Sequence, residues 1–108
     1  MTALIYKICH AAEWALAERD SAYSGSAKDR EDGFLHFSTA EQVPGTLKRY
    51  YAGADDLVLV AVDPTTLGSA VRYEAASNGA LYPHLYGTLP LTAVRGAKPI
   101  RRGEEMML

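Results

Sequence analysis

The run Leu57-Val58-Leu59-Val60-Ala61-Val62 is the most apolar stretch of the chain and the strongest constraint on its fold. It is bounded by Asp56 and by Asp63-Pro64, and it is far too short to span a membrane as a helix. Six apolar residues in a row, three of them valine, are typical of a strand that is buried on both faces. We therefore predict a central strand here, with other segments of the chain covering both of its sides.

The segments around this strand predict an α+β fold. Residues 3–9 have the composition of a strand, residues 10–23 are rich in helix formers, and residues 24–33 are polar and are predicted to form an exposed loop. Further strands are predicted at 71–74 and 93–95, and residues 75–80 are predicted to form a loop or hairpin turn centred on Asn78-Gly79. Helices come early and strands late, which favours a mixed, mainly antiparallel sheet with two main helices in the N-terminal half.

A second helix is expected directly after residue 38. Ser38 with Glu41, or Thr39 with Gln42, has the spacing of a capping box. Pro44 removes a helical hydrogen bond, so we expect a short turn before it or a break at it. Leu47, Tyr50 and Tyr51 are then predicted on the inner face of that helix.

Length and composition define the class of protein. At 108 residues we expect a single domain over 1–108, with a core at about 3–96 and a loosely held tail at 97–108. The net charge of −2 argues against nucleic-acid binding, which usually needs a basic excess. With one cysteine and neither a signal peptide nor a membrane span predicted, the expected location is cytoplasmic.

His36 lies in the apolar stretch DGFLHFST and is a candidate ligand-binding residue. In an extended segment Phe34, His36 and Ser38 share one face, which places the imidazole beside the hydroxyl group at a helix start. Such a start can bind an anion through its free N–H groups. The alternative is a half-buried histidine bonded to a backbone carbonyl, and capping alone explains Ser38 and Thr39.

The stretch LYPHLYG, residues 81–87, contains a second candidate group. Tyr82, His84 and Tyr86 alternate, so their three polar-tipped rings face one side of a strand. Rings of this kind suit the recognition of a planar ligand. The alternative is a strand whose tyrosines lie at the solvent boundary.

Lys7 lies within the apolar strand segment IYKIC and needs either an exit to solvent or a negative partner. An edge position or snorkelling is the commoner explanation, and a ligand phosphate would be the functional one. No metal site is predicted, because His10, His36 and His84 lack a local ligand spacing. Cys9 and His10 are adjacent in a strand and point to opposite faces, which argues against a nucleophile pair.

Two blocks in the chain carry a family resemblance. Gly33 to Thr39 matches the pattern G-F-[apolar]-H-[any]-S-T, and Pro83 to Gly87 matches P-H-L-Y-G. With the order IYKI, DGFLHFSTAEQV, LVLVAVDP and LYPHLYGTLPLTAV, the chain resembles, from about Leu4 to about Val94, an uncharacterised bacterial family catalogued as domain of unknown function 952. That family is in turn similar to a compact ADP-ribosyltransferase-like fold, whose members bind NAD in a cleft between two small sheets.

The resemblance implies NAD or a related nucleotide as ligand or substrate, with ADP-ribosyl transfer or glycohydrolase chemistry. It implies that Lys7 and His36 hold the ribose and phosphates and that Ser38 also lines the cleft. Lys7 stands where related sequences often carry histidine. The rings of Tyr82, His84 and Tyr86 would lie on the last strand, with Tyr86 stacking on the ligand, and Glu74 is the nearest candidate for a catalytic carboxylate.

Two other interpretations are compatible with the sequence. The chain could be a non-catalytic small-ligand-binding or protein-interaction module with a degenerate pocket, or both histidines could serve only the structure. Which of these holds depends on whether His36, Ser38, His84 and Tyr86 converge on one cleft.

Overall fold

The computed structural model of the chain describes residues 3–100, in which short helices surround three antiparallel sheets. The α-helices are α1 (Ala11–Asp20), α2 (Ala27–Asp32) and α3 (Val43–Tyr50). The strands are β1 (Ile5–His10), β2 (Ala22–Tyr23), β3 (Leu35–His36), β4 (Ser38–Thr39), β5 (Leu57–Val62), β6 (Val71–Ala75), β7 (Leu81–Leu85), β8 (Leu89–Pro90) and β9 (Val94–Pro99). Three 3₁₀ segments cover Ala40–Gln42, Pro64–Ala70 and Leu91–Ala93.

The largest sheet has the strand order β4-β1-β5-β9 and is built around the predicted central strand. Strand β5 pairs along its whole length with β1, from Ile5 opposite Val62 to His10 opposite Leu57. Its other edge pairs with β9, with an irregularity between Ala61 and Val62. The central position predicted for residues 57–62 is therefore confirmed.

Apolar side chains cover both faces of this sheet, as a continuous hydrophobic strand requires. On one face Ile5, Cys9, Val58, Val60 and Val62 belong to the larger core cluster, which also contains residues of α1 and of the other two sheets. On the opposite face a smaller cluster brings residues of β1 and β5 against α3; its buried members are Ile8, Val43, Leu47, Leu57 and Leu59.

The sheet β3-β7-β6 brings the two predicted motifs together. Strands β6 and β7 form a hairpin whose turn contains Asn78 and Gly79, which was one of the two predicted alternatives for residues 75–80. Strand β3 adds to the other side of β7, and His36 lies directly opposite His84. A two-stranded ribbon, β2-β8, completes the sheets. The α+β class and the mainly antiparallel pairing are confirmed.

The start of the second main helix also follows the prediction. Residues 40–42 form a short 3₁₀ turn before Pro44, with Thr39 as N-cap, and the backbone N–H of Thr39 donates to Gln42 Oε1 at 3.0 Å. Pro44 lies in the first turn of α3, where its missing N–H costs little. Leu47 is buried as predicted, but the inner position predicted for Tyr50 is wrong, because its ring is 68% exposed.

The prediction of an exposed loop at 24–33 is wrong. Residues 27–32 form α2, which begins with a reciprocal capping box between Ser26 and Asp29. The sequence AKDRED lacks an apolar face, so no hydrophobic periodicity marks this helix. Its only buried residue is Asp29, which is 2% exposed.

The boundary predicted for the C-terminal tail is also wrong. Residues 97–99 continue β9, with Ala97 opposite Val60 and Pro99 opposite Val58. Residues 101–108, the rest of that predicted tail, lie outside the described residues. Between residues 3 and 100, no helix is long and apolar enough to cross a bilayer.

We expect Gly25→Ala to destabilise the fold strongly. Gly25 is buried at φ +106°, and a Cβ there would meet Leu35 Cδ2 at 2.7 Å and Asp29 Cβ at 2.9 Å. The overpacking and the positive φ together predict a loss of about 3 kcal/mol, measured by urea unfolding. Gly33→Ala is the matched control, because its φ is +87° but a Cβ would meet nothing within 4 Å. That variant should lose only about 1 kcal/mol, and equal losses would contradict the close contact at Gly25.

Candidate functional site

A cleft of about 840 Å³ opens where β1, α2, α3 and the β6-β7 hairpin meet. Five of the residues singled out in the sequence line it: Lys7, His36, Ser38, Tyr82 and His84. Thr39, Glu74 and Tyr86 are not part of its lining. The two histidine motifs, which are 48 residues apart in the chain, therefore contribute to one cleft.

Asp29 is the centre of a buried polar network at the base of this cleft. Its Oδ2 accepts hydrogen bonds from Lys7 Nζ at 2.7 Å and from the Ser26 backbone N–H at 3.0 Å. Its Oδ1 accepts from the backbone N–H of His36 at 3.1 Å and lies 2.6 Å from His36 Nδ1. Burial by itself raises the pKa of Asp29, but the hydrogen bond from His36 and the ammonium of Lys7 outweigh it and hold the pKa well below its ordinary value.

Lys7 is satisfied by the protein itself. Its side chain is 4% exposed, and Nζ donates to the His36 backbone carbonyl at 2.9 Å in addition to Asp29. The edge or snorkelling position expected for Lys7 is therefore wrong, and the negative partner named as the alternative is Asp29. A phosphate bound in the cleft would have to compete with this carboxylate for Lys7. The contacts of Lys7 therefore argue against the phosphate contact that was predicted for it.

The two nitrogens of His36 both face carboxylates of α2. Nδ1 lies 2.6 Å from Asp29 Oδ1, and Nε2 lies 2.9 Å from Asp32 Oδ2. Residues 29 and 32 are three apart, so they lie on the same side of the helix. Both hydrogen bonds form together only when both ring nitrogens carry protons. The alternative predicted for His36 was a bond from its ring to a backbone carbonyl. That alternative is wrong, because both ring nitrogens face carboxylates.

His84 is held by a different set of contacts on the same sheet face. Its Nδ1 lies 2.7 Å from Glu74 Oε1, and Tyr86 Oη donates to the same oxygen at 2.7 Å. The hydrogen bonds from His84 and Tyr86 lower the pKa of Glu74, and the bond to Glu74 raises that of Tyr86. Phe34 stacks on the His84 ring, with 4.1 Å between centroids and 27° between planes. Tyr86 therefore helps to position His84 through Glu74.

The two hydroxyl residues after His36 have separate local roles. Ser38 is buried in the cleft lining, and its Oγ lies 2.9 Å from Thr46 Oγ1 on α3. Thr39 caps the 3₁₀ turn, so the capping box is the predicted pair of Thr39 with Gln42. The free N–H groups expected beside His36 are thus partly used by the capping box.

Several residues of the cleft were missed in the sequence. They are the rings of Tyr6, Tyr50 and Tyr51, the cations Lys28 and Arg49, and the two carboxylates of α2. Ser26 and Asp29 have the spacing of a capping box, which would have revealed α2. The tyrosines and Arg49 carry no comparable signal, because their place in the cleft depends on how β1 and α3 pack.

Burial makes the thiol of Cys9 a poor nucleophile. Burial is the main cause that raises the pKa of Cys9 to about 12, which keeps the thiol protonated at neutral pH. Within residues 3–100, no three His, Cys, Asp or Glu side chains are grouped so that they could hold a metal ion.

We expect Asp29→Asn to reduce stability by about 3 kcal/mol at about pH 7, because the neutral amide leaves the Lys7 ammonium buried without its counter-charge. The folded-state pKa of Asp29 lies below its ordinary value of 3.8. The unfolded chain therefore takes up the proton first, and the stabilisation is complete above 3.8 and is lost as the pH falls through the folded-state pKa.

Urea unfolding at about pH 7 and about pH 3 tests this, and the difference between wild type and Asp29→Asn should shrink at the lower pH. Asp20→Asn is the control, because Asp20 is exposed and pairs only with exposed Arg19. It should change stability by less than about 0.5 kcal/mol. A wild-type advantage at Asp29 that grows toward acid pH would contradict the assignment.

Comparisons with solved structures identify relatives of the whole fold. The crystal structure of protein CC0527 from Caulobacter crescentus matches with a TM-score of 0.89 and 36% identity, over 97% of this chain and 99% of that chain. The solution NMR structure of the same protein matches with a TM-score of 0.82 and 40% identity, over 91% of this chain and 84% of that chain. None of the curated proteins matches the chain.

The family described as Protein of unknown function (DUF952) matches residues 8–97. This range contains both histidine motifs and all of the paired strand β5. The chain therefore belongs to the DUF952 family.

Proposed function

We propose that the chain binds NAD or a related nucleotide in the cleft, without transforming it. The observation that carries the proposal is the convergence of His36, His84 and Tyr82 on one cleft of about 840 Å³. That volume lies within the range of about 300–1,000 Å³ found for small-molecule and cofactor sites. The ADP-ribosyltransferase-like fold suggested by the sequence supports the choice of NAD by analogy.

The lining of the cleft suits the parts of a nucleotide. Tyr6, Tyr50, Tyr51 and Tyr82 offer flat aromatic surfaces on which a base or nicotinamide ring can stack. Lys28 and Arg49 supply positive charge near the ends of α2 and α3. Lys28 contacts Asp32 at 3.4 Å, whereas Arg49 is exposed and has no salt bridge within residues 3–100. Arg49 is therefore the best candidate for a phosphate contact.

The position of Glu74 favours binding over catalysis. The ADP-ribosyl transfer and glycohydrolase reactions considered for this chain relied on Glu74 as the carboxylate beside the reacting sugar. Glu74 is outside the cleft lining, and its Oε1 is engaged by both His84 and Tyr86. Asp29 is buried and saturated with hydrogen bonds, so it does not replace Glu74 in that role.

Calorimetric titration with NAD tests the proposal, and Tyr82→Ala should weaken binding about tenfold through the loss of one stacking surface. Tyr73→Ala is the matched control. Tyr73 lies on the neighbouring strand, is 48% exposed and does not line the cleft, so its loss should leave the affinity unchanged. No heat and no shift of the His36 or His84 ring signals at millimolar NAD would refute the proposal.

The absence of a reaction is tested separately by incubating the protein with NAD and measuring free nicotinamide. We expect none above the buffer control. Release of nicotinamide that is lost in His84→Ala would instead establish the glycohydrolase alternative.

A further inference from the structure

The two histidines of the cleft are direct neighbours but differ in their free nitrogens. His36 and His84 are paired across β3 and β7, with 5.6 Å between ring centroids. Both nitrogens of His36 are engaged by carboxylates of α2. His84 is engaged at Nδ1 alone, and no group within residues 3–100 makes a hydrogen bond to its Nε2.

The contact with Glu74 fixes which nitrogen of a neutral His84 ring carries the proton. Glu74 is a carboxylate, since its hydrogen bonds from His84 and Tyr86 lower its pKa. A carboxylate only accepts hydrogen bonds, so Nδ1 must be the donor in this pair. In the neutral ring Nε2 is then unprotonated and is a hydrogen-bond acceptor.

The ring cannot easily turn to use this acceptor elsewhere. Phe34 stacks on it at 4.1 Å, and the His84 side chain is only 14% exposed. Glu74 is itself held by Tyr86, whose ring lies beneath the guanidinium of Arg72 at 4.7 Å. Glu74 lies outside the cleft and His84 lines it, so the edge of the imidazole opposite Nδ1 is the one available to a ligand.

We propose that His84 selects the ligand by accepting a hydrogen bond at Nε2 from a hydroxyl or N–H group, with Glu74 as the positioning residue that fixes this acceptor. In a nucleotide the matching group is a ribose hydroxyl. This inference deepens the proposed nucleotide binding and rests on it for the identity of the ligand. The state of the His84 ring can be tested without any ligand.

The first experiment is modification with diethylpyrocarbonate, which attacks unprotonated imidazole nitrogens, followed by mass spectrometry of each histidine. We expect His84 to react faster than His36, although the His36 side chain is 34% exposed and that of His84 only 14%. His10 serves as the positive control, because it is 45% exposed and only its Nδ1 contacts a carboxylate, that of Asp56. Faster reaction at His36 than at His84 would overturn the proposal.

The second experiment reads the proton position on His84 from two-bond ¹H–¹⁵N NMR spectra at a pH where the ring is neutral. We expect the Nδ1–H form in the wild type and a shift toward the Nε2–H form in Glu74→Ala. Asp56→Ala is the matched control, since it removes the carboxylate from His10 and should leave the His84 signals unchanged. An Nε2–H form in the wild type would overturn the proposal.

The third experiment compares NAD affinity in two variants of His84. His84→Phe keeps a ring against Phe34 but removes the acceptor, and it should weaken binding about tenfold. His84→Gln restores an acceptor oxygen near the position of Nε2 and should recover most of that loss, which a purely structural role would not predict. Equal affinities of His84→Phe and wild type would overturn the proposal.

These experiments separate the two proposals. If NAD does not bind to the wild type while His84 shows the Nδ1–H form and the expected reactivity, the choice of NAD fails and the acceptor at His84 stands. If NAD binds and the His84 acceptor is absent, the nucleotide site stands and the role of His84 fails.

Discussion

The buried ion pair between Lys7 and Asp29 is the interaction on which the rest of the structure depends. It joins β1 of the largest sheet to α2. The carboxylate of Asp29 also contacts both the backbone and the ring of His36 on the sheet β3-β7-β6. Two charges removed from water are stabilising only when their hydrogen bonds are satisfied. Here Asp29 receives four hydrogen bonds, so that one carboxylate holds together three elements of the cleft.

The two histidines of the cleft differ in how many of their ring nitrogens have hydrogen-bond partners among residues 3–100. Around His36 each nitrogen has a partner within the protein, and these contacts give the cleft its shape. Around His84 the contacts come from Glu74 at Nδ1 and from the stacked ring of Phe34, and the proposed ligand contact rests on its other nitrogen, Nε2. Polar groups in binding sites are most effective when they are held in place before the ligand arrives.

Periodicity and capping patterns were sufficient to predict the parts of the fold that depend on apolar burial. Strand β5 and the β6-β7 hairpin follow from hydrophobic runs and a turn signal, and α3 begins after the predicted 3₁₀ turn. Hydrophobic periodicity could not reveal helix α2, because the residue it buries is charged and its partner Lys7 lies 22 positions earlier; only the capping-box spacing of Ser26 and Asp29 marks its start. Alternation grouped Tyr82, His84 and Tyr86, of which Tyr82 and His84 line the cleft and Tyr86 does not. The contact of Glu74 with His84 depends on the register of β6 against β7, which the sequence alone does not give.

The shortness of β3 has a consequence for the accuracy of the cleft. This strand has only two residues, too few for its ladder hydrogen bonds to set its alignment alone. The bond from the Phe37 N–H to the Pro83 carbonyl and the two bonds from His36 to Asp29 hold it in place. A slip by one residue would turn the imidazole of His36 to the opposite face of the strand and put an apolar side chain in its place. Asp29 thus fixes the alignment of β3, and because Leu35 and Phe37 belong to the larger core cluster, a slip would change the lining of the cleft and the core together.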